Sequence, residues 1–330
     1  MTPSQNLLVL YTGGTIGMEM SESGLAPASG FEARLKAEQA LHPERPAPAW
    51  RFRELSPPID SANMRQANWL AMRNAIVQAV DEEGFDAVLL LHGTDTLAYS
   101  AAALSFLLLG IQVPIVLTGS MLPAGAAGSD AWPNLFGALA ALDQGCLPGV
   151  HLYFDGHLLH SARASKMKSE AFDAFVTMAR PRHGVHEETL PTALHYRQPR
   201  REVTLAVQPL FPGLTATQLQ AALANGVEAL LLECYGSGTG PSDDPAILAA
   251  LREARERGVV LAAISQCPLG HVDFEVYAAG SALAEAGLVS GGGMTREAAL
   301  GKLFSLLGAG LPRSEVERLF AHDLCGEMAD

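Results

Sequence analysis

Short apolar runs recur along the chain, each followed by a polar turn and a stretch whose apolar residues return at helical spacing. Leu7–Tyr11, Ala87–Leu91, Pro114–Thr118 and Val150–Phe154 are short, mainly apolar runs, the pattern of strands covered on both faces. Asn63–Val80, Thr96–Leu109 and Pro133–Leu142 read as the helices between them. Alternation of this kind predicts a parallel sheet clad in helices. From Met178 to Arg201 the character changes to polar turns with Pro181, Pro191 and Pro199 among arginines, the marks of a connecting segment. Alternation then resumes, with strands at Val203–Val207, Ala229–Glu233 and Val259–Ile264 and helices at Thr217–Leu223, Pro245–Arg257 and Thr295–Leu307. The expectation is a two-domain α/β protein: a parallel-sheet N-terminal domain over 1–180, a linker over 181–202, and a smaller α/β C-terminal domain over 203–330.

Composition narrows the partners. At 330 residues and 48% hydrophobic content, the chain can bury a large core without staples. Its 35 acidic residues outnumber its 22 basic ones, for a net charge of −13. So acidic a surface repels phosphate backbones, which argues against nucleic acid and anionic membranes. Cys146, Cys234, Cys267 and Cys325 are scattered without a paired spacing, as reduced thiols of a cytoplasmic protein are. Leu7–Leu10 is too short for a signal-peptide core. The longest apolar stretch, Ala98–Leu109, is broken by Ser100 and Ser105 and is too short to span a bilayer.

In open α/β sheets ligands sit beyond the carboxyl ends of the strands. The residues there are Tyr11-Thr12-Gly13-Gly14-Thr15-Ile16-Gly17-Met18, His92-Gly93-Thr94-Asp95-Thr96 and Thr118-Gly119-Ser120-Met121. Each alone is an ordinary strand-to-helix turn, with glycine for backbone freedom and Thr94 or Asp95 as a helix cap. Together they outline a small polar pocket in which Ser120 is a candidate substrate contact. The first turn lacks the Gly-x-Gly start of a dinucleotide site, and neither a phosphate-loop lysine nor a Gly-x-Ser-x-Gly elbow occurs. A hydroxyl nucleophile needs a neighbour to take its proton. Lys166 follows the fourth strand and could reach the same edge, although by itself it reads as a solvated surface lysine.

The two threonine turns resemble the paired signatures of the bacterial L-asparaginase/glutaminase family, Thr-Gly-Gly-Thr-Ile and His-Gly-Thr-Asp-Thr. The cytoplasmic, type I branch is similar over nearly the whole chain, with further matching stretches at Pro58-Ile59-Asp60-Ser61-Ala62-Asn63-Met64, Phe172-Asp173-Ala174-Phe175, Gln266-Cys267, Tyr277-Ala278-Ala279-Gly280, Ala286-Gly287 and Met294-Thr295. The resemblance implies hydrolysis of L-asparagine to L-aspartate and ammonia through a covalent acyl-threonine. Thr15 matches the nucleophile, and Thr94, Asp95 and Lys166 match a second set in which the lysine shuttles a proton. Asp60 and Ser61 match the residues that hold the α-amino and α-carboxylate groups, as charge complementarity allows. Gly14, Gly93 and the backbone near Thr94 would offer N–H groups to the oxyanion. No metal or organic cofactor is implied, and the family's habit of assembly implies a homo-oligomer, dimer or tetramer.

The chain also departs from the pattern. Secreted members carry a tyrosine in the loop after the first motif, whereas Glu19–Phe31 has none and Leu25 lies near the place. In some type I relatives a tyrosine of the C-terminal domain takes that part, and Tyr277 matches it; it reads equally as an ordinary half-buried tyrosine. Where relatives show Tyr-Gly-x-Gly-Asn, this chain has Tyr235-Gly236-Ser237-Gly238-Thr239, which leaves the preference between asparagine and glutamine open. Glu19–Gly30 is either a lid over Thr15 or a plain surface loop. His151, His157 and His160 lack the spacing of a metal set, and Ser165-Lys166-Met167-Lys168 meets a Ser-x-x-Lys pattern without its companion motifs. Other readings are a broad glutaminase/asparaginase, an amidotransferase subunit, disfavoured because the motif begins at Thr12, and a non-catalytic amino-acid sensor using the stretch around Cys267.

Overall fold

A computed structural model describes residues 6–21, 24–45, 47–180 and 184–328. The chain divides into two units, Met1–Thr177 and Met178–Asp330. In the first, β1 (Leu7–Gly13) leads through a 3-10 turn into a hairpin of β2 (Met18–Ser21) and β3 (Gly24–Pro27). There follow α1 (Phe31–Leu41), β4 (Trp50–Ile59), α2 (Gln66–Asp81), β5 (Ala87–Leu91), α3 (Leu97–Leu107), β6 (Pro114–Thr118) and α4 (Ala131–Asp143). Two hairpins close the unit: β7 (Gly149–Phe154) with β8 (His157–His160), and β9 (Ala164–Lys166) with β10 (Phe175–Thr177).

The main sheet has the order β4-β1-β5-β6-β7-β8, parallel except for β8 at its edge. Every residue of β1 and β5 is buried, as central strands between two helical layers must be. This order positions the site. From β1 the chain crosses to β4 on one side, then returns past β1 to lay down β5, β6 and β7 on the other. Connections leaving β1 and β5 therefore run in opposite directions, and a crevice opens at their carboxyl ends. The threonine turns stand at that switch point.

Several elements of this unit are absent from the sequence-based expectation, β4 and α1 the longest of them. Among the described residues the β4 strand pairs with β1 alone, and it carries Arg51, Arg53, Glu54 and two prolines; edge strands tolerate such residues, so no apolar run marks it. Only Phe31 and Leu35 of α1 are buried, too few to set a helical period. The segment expected as a loop or lid, Glu19–Gly30, is in its described part the β2–β3 hairpin. Its base is held by Arg34, which donates to the Gly17 carbonyl at 2.9 Å and faces Glu19 at 3.4 Å. Glu22 and Ser23 lie outside the described residues.

The second unit contains β11 (Val185–His186), β12 (Leu205–Pro209), α5 (Ala216–Ala222), β13 (Ala229–Cys234), α6 (Pro245–Glu256), β14 (Val260–Ser265), α7 (Ala278–Glu285), β15 (Leu288–Ser290), α8 (Arg296–Gly308), α9 (Arg313–Phe320) and β16 (His322–Asp323). Its sheet runs β12-β13-β14-β15, all parallel and in chain order. The stretch expected as a linker belongs to this unit where it is described: β11 pairs with β16, and the Arg201 N–H donates to the Gly308 carbonyl at 3.1 Å. Residues 181–183 of it lie outside the described residues. Among the described residues no helix is long and apolar enough to cross a membrane.

One buried ion pair fastens the C-terminal segment. Lys302 and Glu327 have no exposed side-chain surface, and their charged ends are 2.6 Å apart. Lys302 also donates to the carbonyls of Phe320 and His322, while Glu327 accepts from the Leu324 and Cys325 N–H groups. Removing one partner of such a pair strands the other charge, at about 3–5 kcal/mol. Lys302→Met is accordingly expected to lower the unfolding free energy by about that much, read by denaturant titration. A loss under about 1 kcal/mol would show that the pair contributes no more than an exposed one.

Candidate active site

The first turn is made by glycines at the end of β1. Gly13 and Gly14 have φ of 109° and 85°, values that side chains oppose. Gly14 N–H donates to the Ile59 carbonyl at 3.1 Å, and a Cβ on Gly14 would fall on the backbone of Gly93. The two threonine turns thus meet backbone to backbone. Thr15 opens the 3-10 turn, half-buried, and its hydroxyl has no hydrogen bond among the described residues. Thr12, in contrast, is buried and donates to the Leu91 carbonyl. Tyr11 packs between Phe31 and Phe52 and donates to the Ala28 carbonyl at 2.9 Å. Burial pushes its phenol up to about 12, so it stays protonated.

The second turn is held from behind by His92, which is wholly buried. Burial drives its pKa down to about 4, so the imidazole is neutral at working pH. Its Nδ1 lies 2.7 Å from the Gly93 carbonyl and its Nε2 2.8 Å from Ser100 Oγ, which receives Trp69 Nε1–H at 2.9 Å. A carbonyl needs a donor, so the network assigns the proton to Nδ1. A Cβ on Gly93 would strike Ser61, and Thr96 Oγ1 donates to the Ser61 carbonyl at 2.9 Å. Ser61 is buried, and the Asp60 carboxylate beside it caps the 3-10 turn by accepting the Ala62 N–H.

Lys166 ends β9, and its Nζ lies 3.0 Å from both Thr94 Oγ1 and Asp95 Oδ1. The lysine side chain is 19% exposed, and that of Asp95 62%. The structure therefore joins Gly14, Ser61, Gly93, Thr94, Asp95 and Lys166 by direct contacts, with Thr15 next to Gly14. Ser120 lies on the loop after β6. It is fully buried, and its hydroxyl donates to the Leu122 carbonyl of its own loop. Tyr277 belongs to the second unit, where it is the exposed N-cap residue of α7. Thr239 closes its own turn, donating from N and Oγ1 to the Tyr235 carbonyl.

Among the described residues no group of three or more His, Cys, Asp or Glu side chains is placed to hold a metal. His151 and His160 face each other across the β7–β8 ladder, but His151 Nε2 bonds the Leu147 carbonyl and His157 Nδ1 that of Asp155. The four cysteines are free thiols.

An open parallel sheet with two threonine turns at its switch point, one bearing a lysine on its hydroxyl, is the framework of a hydrolase acting through a hydroxyl group. The chain belongs to the asparaginase family: residues 6–199 match the family described as Asparaginase, N-terminal, and 205–320 the Glutaminase/Asparaginase C-terminal domain. It is 36% identical to L-asparaginase 1 of Escherichia coli K12 over 98% of both chains. It is 34% identical to the 60 kDa lysophospholipase of Mus musculus, over 99% of this chain and 63% of that one. Its structure resembles that of L-asparaginase I from Vibrio cholerae with a TM-score of 0.84 and 33% identity, covering 99% of each.

Proposed function

We propose that this chain is an L-asparaginase that forms and hydrolyses an aspartyl ester on Thr15. The observation that carries the reading is the Lys166 amine on the Thr94 hydroxyl, with Asp95 on the same nitrogen, beside the turn that bears Thr15. Asp60 attracts the substrate's α-ammonium group, and Ser61 with nearby N–H groups receives its α-carboxylate. Thr15 Oγ1 attacks the carboxamide carbon, and the oxyanion that forms is met by backbone N–H groups of the two apposed turns other than that of Gly14, which the Ile59 carbonyl holds. The amide nitrogen takes up the proton that Thr15 gives up on attack and leaves as ammonia. Water then attacks the ester, giving one proton through Thr94 to Lys166, which returns it to Thr15 as L-aspartate departs. Asp95 holds the ammonium form of Lys166 in place. Ser120 is kept as a candidate substrate contact, its oxygen left free to accept while its proton goes to the Leu122 carbonyl. Tyr277 is retained as a candidate contributor, and cytoplasmic location, a homo-oligomeric state and independence of cofactors complete the reading.

Ammonia release tests it, measured separately with L-asparagine and L-glutamine from micromolar to millimolar concentration. Saturable release from asparagine is expected. One methylene is worth about 1–3 kcal/mol in a pocket, so the ratio of the two substrates reports the preference. The mouse relative's name makes lysophosphatidylcholine a useful third substrate. Fatty-acid release without ammonia, or no release from any of the three, would overturn the proposal.

A further inference from the structure

The loop after β6 touches both threonine turns. At one end, a Cβ on Gly119 would fall on the His92 carbonyl oxygen and lie 3.8 Å from Thr94 Cγ2. At the other, the Ala124 N–H donates to the Ile16 carbonyl at 3.2 Å, one residue beyond Thr15. No strand pairing holds residues 119–124 between these ends. Their path is set by the Asp130 carboxylate instead, which receives the Met121 N–H at 2.8 Å and the Leu122 N–H at 3.0 Å. Asn134 extends the brace. Its Nδ2 donates both to Asp130 Oδ2 at 3.1 Å and to the Gly119 carbonyl at 3.0 Å, and its Oδ1 accepts the Asp155 N–H at 2.9 Å.

Asp130 and Asn134 are 7% and 1% exposed. Among the described residues Asp130 has no ion-pair partner, and N–H groups are its hydrogen-bonding partners. A buried carboxylate satisfied in this way fixes each donor in direction as well as distance. The Asp130 carboxylate oxygens are taken up by the Met121, Leu122 and Asn134 N–H groups and bond neither threonine. Its effect on chemistry would run through the loop it shapes.

We propose that Asp130, supported by Asn134, is a positioning residue for the reaction: it fixes the 119–124 loop and thereby the spacing of the Thr15 and Thr94 turns. This rests on the hydrolase reading above. Asp130→Asn keeps the shape but turns an amide NH2 toward donors that need an acceptor. A misplacement of about 1 Å can cost about 100-fold in rate, so kcat for asparagine is expected to fall about 10–100-fold. KM should stay within about threefold, because Asp60 and Ser61 are untouched. Asn134→Ala, which leaves the two backbone bonds of Asp130, should lose less, and the double variant no more than Asp130→Asn alone, as members of one unit do.

All variants are compared with wild type well below their unfolding temperatures, with active sites counted by aspartate binding. A kcat within twofold of wild type in a folded Asp130→Asn protein would overturn the proposal, as would failure of both single variants to fold. A wild-type protein that releases no ammonia would instead overturn the hydrolase reading and this inference with it.

Discussion

Thr15→Ala abolishes ammonia release while L-aspartate still binds. The loss in kcat is expected to be about 1,000-fold or more, the scale on which removing a nucleophile from a cooperating set acts. The structure separates the two effects. Thr15 presents a hydroxyl with no intramolecular hydrogen bond among the described residues, so alanine strands no buried partner. The close approach of Gly14 to Gly93 is backbone against backbone, with Gly14 at positive φ, and alanine at position 15 leaves both glycines in place. The residues proposed to hold the α-groups, Asp60 and Ser61, stand on another connection. Steady-state kinetics with calorimetric titration of aspartate checks both halves. Turnover above a tenth of wild type would refute Thr15 as the nucleophile, and loss of aspartate binding would show that the hydroxyl serves the ground state.

What could be read from the sequence follows from where each element lies. Central strands between two helical layers are apolar on both faces, so β1, β5, β6 and β7 announce themselves. The edge strand β4, with one hydrogen-bonding neighbour and charged side chains, leaves no such mark. Strand-end turns are legible for a similar reason: Gly13, Gly14 and Gly93 must be glycine where a Cβ would strike a neighbour, and the hydroxyls beside them stand out.

Contacts between distant segments are harder. Lys166 looks like a solvated lysine until the β9–β10 hairpin brings it to Thr94, 72 positions away. Ser120 sits in a turn of the right kind, yet its neighbours in sequence do not tell whether the hydroxyl faces the pocket or, as found, its own loop. Asp130 precedes a helix and so resembles an ordinary cap, although its carboxylate makes no cap bond to α4 and reaches back to Met121 and Leu122 instead. The chemistry-bearing residues are thus legible as a set, and their supports only in three dimensions.

The Lys166 amine offers the second decisive substitution. Lys166→Met keeps most of the apolar stem and removes the group that bonds Thr94 and Asp95. General acid–base groups contribute about 100- to 10,000-fold, and a loss in that range is expected in kcat. Unfolding does not account for it. With Asp95 62% exposed, the ion pair is worth about 0–1 kcal/mol after solvent screening, a change that moves Tm by only a few degrees. The step affected is identifiable as well. If the lysine serves the water that attacks the ester, Lys166→Met releases ammonia in a burst and then stalls, with an aspartyl group on Thr15 detectable by mass spectrometry after acid quench. If it serves the attack by Thr15, neither burst nor ester is seen, although the overall rate falls just as far. A folded variant retaining more than about a tenth of wild-type kcat would remove Lys166 from the proton path, and its bonds to Thr94 and Asp95 would then be structural.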